Sequence, residues 1–261
     1  MKTLVLKVAY DGTEFVGMQR QPNGRTVEEV LSTAIEQTYQ EPVRVVPAGR
    51  TDAGVHAQGM VVHVRLSTAE RIPIERIARA LNARLPADVR VIGVHLRDDT
   101  TFHARYDAIR RRYSYTIARC DNPLRRRFEW YVRAPIREEL LHECAQLFLG
   151  THDFTTFSKL NASQRTYICT VEQCQWQACG SGRFRLEIAA NRFVYGMVRS
   201  LVGAMVDCAR GKRSLDELAE AFAIRDRRVA SALAPPHGLV FESVEYPHHL
   251  NVMFHPECSP S

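Results

Sequence analysis

The stretch Gly49-Arg50-Thr51-Asp52-Ala53-Gly54-Val55-His56-Ala57 lies between two β-branched runs, residues 43–47 and 60–66. Such runs bounded by glycine are typical of strands, so the pattern predicts a loop that joins two strands. Two glycines bracket a single carboxylate, that of Asp52. Because glycine permits positive φ and close approach of another backbone, we expect a tight loop that presents this carboxylate. From the loop alone, Asp52 is either a turn-forming residue or a catalytic one.

The segments around this loop predict the order strand, helix, strand, strand, helix, strand. The predicted strands are 3–10, 43–47, 60–66 and 89–94, and the predicted helices are 26–39 and 74–84. Thr26 and Glu29 have the spacing of a capping box at the start of the first helix. This order is typical of the ferredoxin-like arrangement, so we expect an α+β fold.

The second half of the chain predicts the same order with one extra helix. Its predicted strands are 110–117, 166–177, 184–190 and 239–246, and its predicted helices are 137–149, 193–210 and 214–223. Leu140, Leu141 and Phe148 have the helical spacing of a buried stripe. The two halves therefore share a pattern of elements, without a repeat in the sequence itself.

The composition is that of an ordinary folded protein with a modest basic excess. Apolar residues make up 45% and charged residues 25% of the 261 residues. These proportions exclude wholesale disorder and allow one large or two modest domains. The formal net charge of +6 fits a polyanionic partner, although a surface that is basic only for solubility would have the same charge.

The cysteines and the longest apolar stretch bear on the compartment. Seven cysteines are scattered at positions 120, 144, 169, 174, 179, 208 and 258, without a Cys-x-x-Cys spacing. They predict a reducing compartment and no zinc ribbon or thioredoxin-type site. The first predicted strand follows Met1 and Lys2 directly, without a signal peptide. Because Arg199 and Asp207 interrupt the longest apolar stretch, 193–209, we expect a cytoplasmic protein without a membrane span.

Arg199 is a candidate site residue because it lies in a predicted helix that is otherwise apolar almost all round. A buried guanidinium requires a carboxylate or an equivalent partner. Asp207 is eight residues further on, about 12 Å along the helix axis, and is a poor partner. Asp52 is the leading candidate for a partner. Alternatively, Arg199 reaches water along its aliphatic stem.

Tyr113 directly follows three arginines, Arg110 to Arg112. Aromatic rings among basic residues suit RNA, because an unstacked base needs a ring face and its backbone needs cations. A core tyrosine on a half-buried strand would produce the same pattern. The clusters 110–112, 125–127 and 225–228 are either phosphate-binding strips or solvated faces.

Three histidines, His248, His249 and His255, follow the last predicted strand. They could form a metal site, but a solvated tail is the preferred interpretation of this segment.

The string Gly49–Ala57 closely resembles the catalytic loop of the TruA-type tRNA pseudouridine synthases, whose signature is Arg-Thr-Asp-Ala-Gly-Val-His-Ala. Residues 191–199 resemble the family helix whose final arginine pairs with the catalytic aspartate. The Arg-Arg-Tyr-x-Tyr segment at 111–115 resembles the one whose first tyrosine packs on the target base. Further landmarks occur in the expected order, at 19–22, 102–105, 153–157 and 238–239, so the resemblance extends from Val5 to Tyr246. Met18 and Met60 depart from the residues common in the family.

The resemblance implies the pseudouridine synthase fold. In that fold, two ferredoxin-like halves form a mixed, mainly antiparallel sheet with helices packed on it and a central cleft. The implied division is an N-terminal half at 1–104 that carries the aspartate loop, a C-terminal half at 105–247 and a tail at 248–261.

The resemblance also implies the activity and the site. The reaction is the isomerisation of uridines of the tRNA anticodon stem-loop, at family positions 38–40, to pseudouridine. Asp52 is the implied essential carboxylate and Arg199 its partner, and Arg50 is implied to occupy the space that the extruded base leaves. The implied catalytic residues are Asp52, Arg199 and Tyr113, and the implied substrate contacts are Tyr113, Arg50, Arg105, Arg20 and Leu239. The tRNA is the implied partner, the chain is expected to form a homodimer, and neither a metal nor an organic cofactor is expected.

Two other functions remain compatible with the residues. One is a non-catalytic RNA-binding module on the same scaffold, against which the joint presence of Asp52, Tyr113 and Arg199 argues. The other is a hydrolase of glycosidic bonds. That chemistry usually uses two carboxylates, and the loop 49–57 contains only one.

Overall fold

The computed structural model describes residues 1–159, 166–250 and 252–256. The strands are β1 (Lys2–Tyr10), β2 (Val46–Pro47), β3 (His56–Leu66), β4 (Val89–Arg97), β5 (Arg110–Ala118), β6 (Trp130–Tyr131), β7 (Gly150–Asp153), β8 (Ile168–Ala178), β9 (Arg183–Ala190), β10 (Leu239–Glu245) and β11 (His255–Pro256). The helices are α1 (Val27–Tyr39), α2 (Ile74–Asn82), α3 (Glu138–Leu147), α4 (Met197–Ala209) and α5 (Leu215–Ile224). This mixture of strands and helices confirms the predicted α+β class.

The chain divides into two compact units. The first consists of Met1–Ile109 together with the segment that starts at Phe241, and the second is Arg110–Val240. The units differ from the predicted division, 1–104 and 105–247, mainly because most of β10 belongs with the first unit. In that unit β10 lies beside β3. A Cβ atom on Gly59 of β3 would be 2.4 Å from the carbonyl oxygen of Glu242, so the two backbones are closely apposed there.

The sheet of the first unit contains the strands in the order β11-β4-β1-β3, with β2 along β3. β1 is antiparallel to both β3 and β4, and β2 is antiparallel to β3. The chain order β1-α1-β2-β3-α2-β4 is the ferredoxin-like order that the sequence predicts.

Helices α1 and α2 contact each other, and α2 contacts β4. Leu31 and Ile35 of α1 and Leu81 of α2 are almost completely buried, as the helical spacing predicts. Thr26 caps α1 by accepting a hydrogen bond from the backbone N–H of Glu29. This cap fixes the start of α1 at the end of the loop that contacts the Asp52 segment.

The second unit has its own antiparallel strands in the order β5-β9-β8-β7, and β6 runs parallel to β5. Helix α3 packs against α4, α5 and β8. Phe222 of α5 lies at the centre of an aromatic cluster. The ring centroids of Phe148, Phe154 and Phe157 are 5.6, 5.5 and 5.1 Å from its own.

Helix α4 begins at Met197, whereas the apolar pattern predicts a start at Phe193. Gly196 has φ +74°, a left-handed conformation that does not continue a right-handed helix. The N–H of Met197 donates to the carbonyl of Val194 at 3.1 Å, so residues 194–197 form a turn before the helix. The apolar side chains before Gly196 therefore pack from a loop.

The described residues after Tyr246 form short elements, and His248, His249 and His255 are all exposed. His248–Leu250 form a short 3₁₀ helix, and β11 pairs antiparallel with β4, placing His255 opposite Val94. A Cβ atom on Gly93 would be 2.9 Å from the Cβ of Phe254. This close approach explains why the segment settles on β4: the missing side chain at Gly93 leaves room for it. Cys258 lies outside the described residues.

Candidate active site

The loop 49–57 is fixed against the segment between β1 and α1. The hydroxyls of Thr51 and Tyr10 are 2.7 Å apart and buried. The N–H of Met18 donates to the carbonyl of Thr51 at 3.1 Å, and the N–H of Gly54 donates to that of Phe15 at 3.2 Å. These contacts on both sides of Asp52 hold its backbone in one conformation.

Asp52 lies at the turn of this loop. Its carbonyl accepts from the N–H of Val55 at 3.2 Å, and Gly54 has φ +75°, which a residue with a side chain rarely adopts. Asp52 and Gly17 form an isolated antiparallel bridge. Asp52 is half-buried and Arg50 is exposed. The loop therefore presents the carboxylate at the surface of the first unit from a rigid backbone, as predicted from its glycines.

The tightest contact of the loop is between the backbones of Val55 and Gly12. A Cβ atom on Gly12 would be 2.0 Å from the carbonyl oxygen of Val55. The N–H of Gly12 donates to Nδ1 of His56 at 3.0 Å, and the same nitrogen is 3.1 Å from the carboxylate of Asp11. No residue with a Cβ atom fits here without a shift of the backbone, so Gly12, two residues after β1, sets the position of the loop 49–57.

We expect Gly12→Ala to damage activity more than stability. The new methyl group would push Val55 and, through the turn, Asp52; overpacking of this kind costs about 1–3 kcal/mol. A displacement of about 1 Å at a reacting group can lower the rate about 100-fold. Urea unfolding and single-turnover rates on tRNA measure the two effects. Gly180→Ala is the control for a strained alanine away from the loop, because Gly180 has φ +73° but nothing lies within 4 Å of its added Cβ. If Gly12→Ala turned over like the control, the contact would not position the loop.

A basic pocket of about 530 Å³ opens beside the loop in the first unit. Its charged lining consists of Arg44, Arg50, Arg65, Arg105 and Glu28. All four arginines are exposed. Glu28 is the one acidic residue among the lining residues that the structure describes, so the pocket suits an anion. The structure thus brings together Arg50 and Arg105, two of the predicted substrate contacts.

Two histidines and a tyrosine complete this pocket. The ring of His103 is 5.1 Å from that of His63 and 4.3 Å from that of Tyr106. His63 is buried, and its Nδ1 accepts from the N–H of Ala104 at 3.1 Å. Burial, with a contribution from neighbouring His103, lowers the pKa of His63 to about 4. His63 is therefore neutral near pH 7 and carries its proton on Nε2.

The depressed pKa of His63 predicts a pH-dependent stability. Because the unfolded residue takes up a proton near pH 6.5 and the folded one only near pH 4, stability is lost as the pH falls between these values. The loss from this residue is about 2–3 kcal/mol. His63→Asn keeps an acceptor for Ala104 and should flatten the difference in unfolding free energy between pH 7 and pH 4. Exposed His249→Asn is the control. Parallel pH curves for wild type and His63→Asn would contradict the assignment.

The predicted site residues of the second unit lie around β5 and α4. Tyr113 is half-buried on β5, and its ring packs edge-on against Phe193 at 5.1 Å between centroids. Arg199 is half-buried on α4, and its Nε donates to the carbonyl of Ala234 at 2.8 Å. The N–H of Ala234 donates back to the carbonyl of Arg199 at 3.0 Å. Asp52 belongs to the first unit and Arg199 to the second, and their ion pair stays a prediction.

Leu239 follows a short segment that is fixed to Tyr115. The hydroxyl of Tyr115 donates to the carbonyl of Pro235 at 2.7 Å, and burial raises the pKa of this phenol well above its usual range. A Cβ atom on Gly238 would be 2.6 Å from the Tyr115 ring. The segment 234–239 is thus held by Arg199 at one end and Tyr115 at the other, which places buried Leu239 at the start of β10.

The sequence did not single out Arg44, Arg65, His63, His103 or Tyr106 as pocket residues. They come from the approach to β2, from β3 and from the turn 103–106, which meet only in the folded unit. One signal was available, because Tyr106 directly follows the family landmark at 102–105. Arg20, by contrast, is exposed in the loop before α1, and its N–H donates to Glu28 at 3.0 Å.

Among residues 1–159, 166–250 and 252–256, no three His, Cys, Asp or Glu side chains cluster in a way that could hold a metal ion. The expected absence of a metal stays a prediction. Every helix in these ranges is too short or too polar to cross a membrane.

Comparison with known proteins extends the sequence resemblance. The family model described as tRNA pseudouridine synthase matches residues 7–107 and 144–247. The tRNA pseudouridine synthase A of Exiguobacterium sp. is 37% identical over 94% of this chain and 98% of its own length. That of Halalkalibacterium halodurans is 40% identical over 92% of this chain and 91% of its own length. A chain of the Cbf5-Nop10-Gar1 complex matches with a TM-score of 0.38 and 13% identity, over 90% of this chain and 47% of that one.

Proposed function

Since this chain belongs to the tRNA pseudouridine synthase family, an isomerase family that converts uridine to pseudouridine in tRNA, we propose that Asp52 is its essential carboxylate. The observation that carries this proposal is the rigid loop that presents Asp52. Thr51 and Gly54 on its two sides are each hydrogen-bonded to the segment before α1, while Asp52 itself is half-buried. A reacting group needs such a fixed position.

The reaction breaks the C1′–N1 bond of uridine, turns the uracil and forms a C1′–C5 bond. Atoms and electrons balance within the nucleotide, because the proton lost from C5 is replaced by one on N1. The step needs no redox partner and no phosphate transfer. Asp52 contributes an ionised carboxylate, whether it attacks the sugar or removes a sugar proton.

Three further residues are proposed to assist Asp52. Arg199 would hold the carboxylate ionised and fix its rotamer, and Tyr113 would pack on the target base. Arg50 would enter the space that the extruded nucleotide leaves, because it is exposed and lies two residues from Asp52. Arg105, Arg20 and Leu239 are proposed as further substrate contacts, and the shared pocket of Arg50 and Arg105 supports the first of these.

The substrate region is proposed to be the anticodon stem-loop of tRNA, bound by a cytoplasmic homodimer. The joint presence of Asp52, Tyr113 and Arg199 favours an enzyme over a non-catalytic RNA-binding module. The single acid of the loop 49–57 favours an isomerase over a glycosidic hydrolase, because glycosidic hydrolysis usually uses two carboxylates.

Mapping pseudouridine in unmodified tRNA after incubation with the purified chain tests this proposal. We expect new pseudouridines confined to the anticodon stem-loop, and no free uracil. Release of uracil would indicate a hydrolase instead. Binding of tRNA without either product would indicate the RNA-binding module. Sedimentation of the same preparation measures the oligomeric state.

A further inference from the structure

The turn 103–107 in the first unit is built as a rigid platform. The N–H groups of Arg105 and Tyr106 donate to Nδ1 of His103, at 3.2 and 3.3 Å. The N–H of His103 itself donates to the carboxylate of Asp107 at 2.7 Å, and the hydroxyl of Tyr246 donates to the carbonyl of Ala104 at 2.8 Å. The turn is therefore pinned both internally and to the end of β10.

Tyr106 stands on this platform with an open ring face. Its ring lies over that of His103 at 4.3 Å with an angle of 32° between the planes, yet the residue is 76% exposed. An exposed aromatic ring that is already fixed by a neighbouring ring offers a surface on which an unpaired base can stack. The guanidinium of Arg105 lies 5.9 Å from the ring, so the platform also carries a positive charge.

Two arginines outside the predicted site face the same pocket. Arg44 lies on the approach to β2, and Arg65 lies on β3, two residues after His63. Nη2 of Arg65 donates to the carbonyl of Thr100 at 2.9 Å, which holds that guanidinium in place. Arg44 and Arg65 add to Arg50 and Arg105 a further pair of fork-shaped donors, the geometry that binds phosphate oxygens.

We propose that this pocket is a nucleotide subsite for the substrate RNA, separate from the position of the target uridine. A phosphodiester binds to Arg44 and Arg65, and the base of a neighbouring nucleotide stacks on Tyr106. The inference rests on the proposed function, because it takes tRNA as the substrate. Arg50 lines the pocket and is two residues, at most about 7 Å of chain, from Asp52, so the bound nucleotide flanks the reacting one.

An arginine–phosphate contact and a stacked base leave different signatures in tRNA binding. We expect Arg44→Gln to reduce the slope of log Kd against log salt by about 0.7–0.9, the value for one lost phosphate contact. Tyr106→Ala should weaken binding between about 5-fold and about 100-fold with the slope unchanged, whereas Tyr106→Phe keeps the ring and should bind like wild type. Arg76→Gln, an exposed charge change on α2, is the matched control.

A tRNA series with one neutral methylphosphonate at each anticodon-loop position locates the contact. At one position the neutral linkage should weaken binding by wild type but not by Arg44→Gln, because both changes remove the same contact. Losses of binding free energy that are additive at every position would overturn the proposed subsite. So would Arg44→Gln and Tyr106→Ala variants whose tRNA binding equals that of Arg76→Gln. These results differ from a failure of the proposed function, in which wild type itself would form no pseudouridine.

Discussion

Asp52→Asn should bind tRNA at least as tightly as wild type and form no pseudouridine, with a rate loss of about 10⁴-fold or more. The substitution keeps the shape of the side chain and removes the charge that any role in the reaction requires. Binding should not weaken, because a negative charge beside the RNA backbone disappears. Single-turnover formation of pseudouridine and a binding titration separate the two effects.

Two variants control this experiment. Asp98→Asn makes the same change at a carboxylate of the first unit whose side chain is 89% exposed, and it should be fully active. Asp52→Ala guards against activity regained by deamidation of the introduced amide. Near-normal turnover by Asp52→Ala would remove Asp52 from the essential role.

Arg199→Met should be both inactive and destabilised. Its Nε donates to the carbonyl of Ala234, and a buried carbonyl left without a donor costs about 1–3 kcal/mol. If Arg199 also pairs with a buried carboxylate, the loss rises to about 3–5 kcal/mol. Exposed Arg133→Met in the same unit is the control, and urea unfolding gives the free energies.

A double-mutant cycle identifies the carboxylate. If Asp52 and Arg199 form a pair, Asp52→Asn and Arg199→Met should couple by about 0.5–3 kcal/mol in unfolding free energy. Strictly additive free energies would refute the pairing.

Local chemistry explains what the sequence could predict. The loop of Asp52 is specified by glycines, and the strands and helices of the first unit by spacings within a few residues, such as Thr26 with Glu29. The predicted start of α4 was wrong because the apolar spacing continues through Gly196. The positive φ of Gly196 excludes it from the helix, but this conformation does not show in the apolar pattern. Strand β11 was missed because it consists of two residues and exists only through pairing with Gly93 and Val94.

The residues of the basic pocket could likewise be predicted only in part from the sequence. Arg50 was predicted from the resemblance of its loop to the family's catalytic loop, whereas Arg44 and Arg65 have no local pattern that distinguishes them from solvated charges. They line one pocket only because β2 pairs with β3, with Val46 opposite His63. Long-range strand pairing cannot be obtained from spacings along the chain.

The discontinuity of the first unit sets an order of events during translation. The ribosome makes the entire second unit before it adds Phe241–Glu245, and domains generally fold as they emerge. Until then, the nascent β3 lacks its neighbour beside Gly59 and has an open edge that can pair with other chains. Synthesis of the first unit, which carries Asp52, therefore begins first and is completed last. In a chain cut before β10, the first unit would be prone to aggregation although the second unit could fold.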